Sequence, residues 1–254
     1  LKKNNTAFVP IDSEHFSIYS LNNGFATSQI EKIFITASGG PFLNLNKKKL
    51  NMVNPSKAVQ HPNWKMGKKI SIDSSTMMNK IFEFIEAKKI FNLSNKEIDI
   101  LIHPNSFVHA IIYFKGNLIK FLAHDTSMKI PISNALGIKD RINKNSISNK
   151  LKYLNDLNFE IPKIKTFPLL KILKLIPNKS SYFETILITL NDELVFKYLK
   201  GKINYISIQL NLLKLIKKPY FKRFYKLKPK NIYDIKNMIK ITKSYLDKNL
   251  KYYE

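Results

Sequence analysis

HPNWKMGKKISIDSSTMMNKIFEFIEAKKIF, residues 61–91, decides how the rest of the chain is read. It holds the only tryptophan, Trp64, and one of seven glycines, Gly67. From Ser74 onward the spacing predicts a helix, with Asp73 or Ser74 as its N-cap. Met77, Ile81 and Ile85 recur every four residues with Met78 and Phe82 beside them, which is the apolar stripe of a helix packed on a core. Asn79 and Glu83 are four apart and Lys80 and Glu83 three apart, so all three sit on or beside one face. Ser74, Asn79 and Lys80 then lie near the positive end of a helix, where phosphate is favoured. Glu83 sits one turn deeper and could hold a cation. The same spacing also describes a capped surface helix with an ordinary Lys–Glu pair.

Upstream, AFVPID (7–12) predicts a short strand ending in DSEH (12–15). On an extended backbone Asp12 and Glu14 project the same way, and two such carboxylates make a plausible hard-cation site or a solvated strand end. KIFITA (32–37) predicts a buried strand running into Ser38-Gly39-Gly40-Pro41. Paired glycines after a strand let backbone approach a ligand closely, or simply form a tight turn. Neither G-x-G-x-x-G nor G-K-[ST] occurs, so no nucleotide fingerprint is present. Residues 43–60 are polar and Lys-rich, a helix or a loop. Downstream, IDILI (98–102), FVHAIIYF (107–114) and LIKFLA (118–123) alternate as strands, the last two joined at a Gly116-Asn117 turn. His103, His109 and His124 lack the spacing of a zinc site and are read as structural. Residues 138–166 read as a polar linking segment. From Pro168 the chain is helical, with PLLKILKLI and then segments near 180–199, 203–217 and 230–251 that suit a small bundle.

The 254 residues carry a net charge of +25, which by itself suggests nucleic acid or an anionic membrane. Arginine, the residue of bidentate nucleic-acid contacts, occurs only at 141 and 223 among 43 basic residues. The abundance of Lys, Asn, Ile, Tyr and Phe instead follows from A/T-rich codons, so no specific nucleic-acid partner is expected. No apolar run reaches the roughly 18–20 residues of a membrane span, and no membrane partner is expected. The lack of cysteine excludes disulfides and thiolate metal sites.

Four stretches in order, VPIDSEH (9–15), TASGGPF (36–42), the opening segment and IHPNSFVHA (102–110), closely resemble the catalytic region of 1-deoxy-D-xylulose 5-phosphate reductoisomerases. HDTSMKIP (124–131) resembles the segment that follows in that family, and beyond it the resemblance thins. The fold it implies is α+β: a catalytic metal- and substrate-binding domain over 1–137 with a small mixed sheet and flanking helices, a linker at 138–166, and a C-terminal helical bundle over 167–254. It implies a divalent metal, Mg²⁺ or Mn²⁺, on Asp12, Glu14 and Glu83. A phosphosugar substrate would contact Ser13, Ser38, His61, Trp64, Ser74, Asn79 and Lys80. The catalytic roles fall to Glu14, Glu83 and His61. Val53–Gly67 would form a lid, with Met66 and Gly67 near the nicotinamide of NADPH. A homodimer is implied too, in the bacterial cytoplasm or a plastid-type organelle. The family's dinucleotide-binding domain and its upstream N-K-E lysine are outside these 254 residues, so the chain is expected to be incomplete for turnover by itself. The competing expectations are an inactive fragment and a Lys-rich protein binding nucleic acid or anionic membrane.

Overall fold

The computed structural model describes residues 6–24, 29–43, 45, 47–50, 53–58, 64, 66–138 and 148–249. In chain order the elements are α1 (Ser13–Leu21), β1 (Ile30–Ala37), α2 (Lys47–Leu50), α3 (Pro55–Ala58), α4 (Lys68–Ser75), α5 (Met78–Ile90), β2 (Ile98–Ile102), β3 (Val108–Phe114), β4 (Ile119–Ala123), α6 (Lys129–Ala135), α7 (Ser148–Asn155), a 3-10 helix (Pro168–Leu175), α8 (Phe183–Leu199), α9 (Tyr205–Leu215), α10 (Pro219–Lys222) and α11 (Ile232–Asn249). This is an α+β fold. The residues group into two compact units that interleave along the chain: Leu1–Gly39 with Phe82–Pro162, and Gly40–Ile81 with Lys163–Glu254.

The first unit is built on a four-stranded mixed sheet of order β2-β1-β3-β4. β1 pairs parallel with β2 (Ile35 opposite Ile100) and antiparallel with β3 (Ile33 opposite Ile112). The alternating isoleucines of β1 are buried on one face, as a half-covered strand requires. β3 and β4 form the expected hairpin, in which Gly116 and Asn117 both take positive φ, matching the right-handed twist of the flanking strands. α1 covers β3 and β4, burying Phe16 and Ile18.

Two local expectations differ from what forms in this unit. Residues 7–12 make no strand. Pro10 offers no N–H to a ladder, and Asp12 instead caps α1, its Oδ1 accepting from the N–H groups of Glu14 (3.2 Å) and His15 (3.3 Å). The segment expected to be a surface linker also joins the sheet unit. Ile102 and Glu160 exchange backbone hydrogen bonds of 2.7 and 2.9 Å, and Asn158 O lies 2.8 Å from His103 Nδ1. Polar side chains gave no sign of this because the pairing is made by backbone.

The second unit is helical. α8 is its axis, with Ile186, Leu187, Leu190, Leu194 and Val195 buried and α9 and α11 packed on it. Ser181 and Glu184 start α8 as a capping box: Ser181 Oγ accepts from Phe183 N–H, and Glu184 Oε2 accepts from Ser181 N–H. The helix expected from Ser74 is in fact two helices. α4 ends at Ser75, Met77 takes φ +64°, and α5 begins at Met78. Thr76 Oγ donates back to Ile72 O and Asp73 O, which closes the last turn of α4. Ser74 thus lies in the last turn of α4 and is not an N-cap.

Candidate functional site

α1 and α5 place three carboxylates together in the sheet unit. One ligand oxygen each from Asp12, Glu14 and Glu83 lies within 4.8 Å of the others, with Glu14 and Glu83 buried. The fold reaches this arrangement by a route unlike strand alternation. Asp12 is the cap and Glu14 the second residue of a helix, which turns both toward the same end. His15, one residue on, ties that helix to α5, its Nε2 lying 3.0 Å from Glu83 O. His15 Nδ1 stands 3.4 Å from Asp12 Oδ1 and 3.8 Å from Glu86 Oε2. Ser13 Oγ donates to Glu14 Oε2 at 2.5 Å. On the other side, His109 Nδ1 is 3.9 Å from Glu14 Oε1, and its ring stacks on His124 at 3.9 Å between centroids. Burial, with His109 second, holds the His124 imidazole down to about 4. All-oxygen donors gathered in a partly buried place suit a hard divalent cation.

The helical unit carries the α4–α5 junction. Ser74 closes α4, while Asn79 and Lys80 stand in the first turn of α5, at its positive end. Lys80 is only 6% exposed, unusual for a lysine and suited to a dry anion-binding place. The junction is held closely. Asp73 Oδ1 accepts from Asn191 Nδ2 at 2.8 Å, Lys69 Nζ bridges Asp73 and Asp192 at 2.8 Å each, and Tyr205 OH donates to Ser75 Oγ at 3.0 Å. Burial pushes the Asp73 carboxyl up, against the pull of Lys69 and Asn191. Gly40, at φ +68°, lets its loop approach: a Cβ there would lie 2.8 Å from Ser75 Cα.

Comparison with known proteins settles the family. A model of the 1-deoxy-D-xylulose 5-phosphate reductoisomerase C-terminal domain matches residues 8–91, which include all three carboxylates and the α4–α5 junction. A second, of the DXP reductoisomerase C-terminal domain, matches residues 124–245. The chain belongs to the 1-deoxy-D-xylulose 5-phosphate reductoisomerase family. The reductoisomerase of Pelagibacter ubique (strain HTCC1062) is 50% identical over 238 residues, 94% of this chain and 61% of its own length. That of Persephonella marina is 39% identical over 92% of this chain and 61% of its own length. The chain therefore spans about three fifths of these curated relatives. A solved reductoisomerase in complex with NADPH, fosmidomycin and magnesium has a TM-score of 0.87 at 31% identity, over 98% of this chain and 65% of that one. The Zymomonas mobilis enzyme in complex with NADPH has a TM-score of 0.81 at 28% identity, over 95% and 61%.

The other residues singled out in the sequence fall in both units. Ser38 follows β1 in the sheet unit. Trp64 and Met66 are half-buried, Gly67 caps α4, and His61 lies outside the described residues. Of the expected lid, Val53 and Ala58 are buried, and Tyr198 OH donates to Val53 O at 3.0 Å. His15 directly follows Glu14 and meets Glu83 O, a contact that no spacing in the DSEH segment signals, and His109, packed on His124, also comes within 3.9 Å of Glu14. Asp73 and Asn191 pair across 118 positions, a contact that no local pattern announces. No helix among the described residues is long and apolar enough to cross a membrane.

Proposed function

We propose that this chain supplies the metal- and phosphate-binding part of an enzyme that rearranges 1-deoxy-D-xylulose 5-phosphate to an aldehyde and reduces it with NADPH to 2-C-methyl-D-erythritol 4-phosphate. The observation that carries the reading is the approach of Asp12, Glu14 and Glu83 to within 4.8 Å in a member of this family. Three carboxylates so close repel one another when ionised, and a divalent cation between them would relieve that repulsion. The donor set therefore fits Mg²⁺ or Mn²⁺. Such an ion would chelate two substrate oxygens and polarise the carbonyl. Ser13 restrains Glu14 through its hydroxyl and His15 fixes the backbone at Glu83, so the carboxylates are oriented before substrate arrives.

Lys80 and Asn79, with Ser74, would take the substrate phosphate and align the sugar. His61 and Trp64 would exclude water from the reacting carbons, and Met66 and Gly67 would face the nicotinamide. The sheet also supports a homodimer. β4 is an edge strand, and Tyr113, Ile119 and Phe121 stand exposed on one face of it and its neighbour, at 38%, 50% and 46%. Sedimentation velocity checks this: a monomer at micromolar concentration argues against it.

The catalytic reading is tested by joining the chain to the part of the Pelagibacter ubique relative that it does not cover. Substrate-dependent NADPH oxidation should appear with Mn²⁺, be absent for the chain alone, and be lost with Glu83→Gln. A folded, NADPH-binding chimera without turnover would overturn it.

A further inference from the structure

We infer that Asn191 and Tyr205, on α8 and α9, are positioning residues for the substrate phosphate. They act by locking the end of α4 and so setting where Ser74, Asn79 and Lys80 stand. The inference rests on the phosphate reading above and adds the device that makes it work.

The junction does not hold itself. α4 and α5 meet at Met77, an L residue at φ +64°, a backbone conformation that persists only when its surroundings over-determine it. The surroundings do so from both sides of Ser74. Its predecessor, Asp73, is gripped by Asn191 at 2.8 Å and by Lys69 at 2.8 Å. Its successor, Ser75, receives the Tyr205 hydroxyl at 3.0 Å and passes its own proton to Ile72 O at 2.7 Å. With residues 73 and 75 both fastened, Ser74 keeps one orientation, and α5 starts from one place.

The clamp is dry: Asp73 is 2%, Asn191 0% and Tyr205 1% exposed. A buried carboxylate–amide pair is no better for stability than well-packed apolar side chains of the same volume. What it adds is directional geometry, which a leucine pair cannot supply. The C-terminal helices, which carry no residue of catalytic pattern, thereby reach the substrate through α4.

The test compares two hydroxyl deletions in the same unit. Tyr205→Phe removes the bond to Ser75 while keeping the ring edge against Phe42, 5.1 Å between centroids. Tyr225→Phe removes a hydroxyl bonded to Ile216 O, away from the junction. Binding of inorganic phosphate is followed by NMR at the amides of Asn79 and Lys80 in the chain. Tyr205→Phe should weaken it about tenfold, equivalent to about 1.4 kcal/mol, while Tyr225→Phe leaves it within about twofold. Asn191→Asp, which sets carboxylate against carboxylate, should weaken it further, and Asp73→Asn with Asn191→Asp should recover it by rebuilding the amide–carboxylate bond.

Equal losses in the two tyrosine variants, or unchanged affinity in Tyr205→Phe, would overturn the inference and leave the phosphate reading standing. If phosphate fails to shift these amides in the unsubstituted chain, the phosphate reading falls and the inference with it.

Discussion

Gly40 and Gly201 lie in the same compact unit and take nearly the same backbone conformation, φ +68° and +70°. Alanine at either must adopt a left-handed conformation, at a cost of about 1–2 kcal/mol. Their surroundings differ. A Cβ at Gly201 meets nothing within 4 Å, whereas at Gly40 it would lie 2.8 Å from Ser75 Cα and 3.2 Å from both Ser74 O and Ser75 N. These are backbone atoms of a helix end clamped by Asn191 and Tyr205, so they cannot swing aside as a long side chain would. Overpacking of this kind adds about 1–3 kcal/mol. Gly40→Ala should thus cost about 2–5 kcal/mol and Gly201→Ala only the first 1–2. At roughly 2–4 °C per kcal/mol for a chain of this size, the midpoints should differ by about 5 °C. Thermal and urea unfolding of both variants measure the difference. Relief of the clash must push Ser74 and Ser75, so Gly40→Ala should also weaken phosphate binding while Gly201→Ala does not. Equal midpoints and equal phosphate affinities would refute the claim that close backbone approach, rather than φ alone, requires glycine at 40.

Three further outcomes are expected. Glu83→Gln should weaken Mn²⁺ binding at least roughly tenfold, read by electron paramagnetic resonance, because it removes one of three anionic oxygen ligands; an unchanged dissociation constant would exclude Glu83 as a ligand. Lys80→Ala should weaken phosphate binding about 10- to 100-fold, the worth of a charged hydrogen bond, with the fold retained by circular dichroism; equal calorimetric affinity would remove the role. His124 gives a pH dependence. Burial holds its folded-state value at about 4, below the roughly 6.5 of the unfolded chain. Between those values the unfolded state binds the proton and the folded state does not, so stability falls as pH drops through that window, by at most about 3 kcal/mol. Urea unfolding at pH 7 and pH 4.5 should show a shallower loss in His124→Asn than in the unsubstituted chain; identical slopes would assign the acid sensitivity elsewhere.

Much of this protein is legible along the chain because its signals are short-range. The stripe Met78, Ile81, Ile85 and the alternation of β1–β3 follow from one helical turn or two strand residues. The Gly116-Asn117 turn, the helical run after Pro168 and the carboxylate-bearing DSEH segment are equally local. What the tertiary structure alone decided involves partners far apart in sequence or backbone states that residue type disfavours. Asp12 and Glu14 converge with Glu83 through a helix cap and the His15–Glu83 contact, 68 positions apart, rather than through a strand. The break between α4 and α5 falls at Met77, where no glycine or proline marks it, because packing from both sides sustains a positive φ that local preference opposes. Backbone pairing draws residues near 160 to the edge of β2 whatever their polar side chains suggest. The α4 clamp spans 118 positions to Asn191 and 130 to Tyr205. A buried hydrogen bond leaves no periodicity in the chain. Its worth comes from desolvation and direction, and both exist only once the helices have packed.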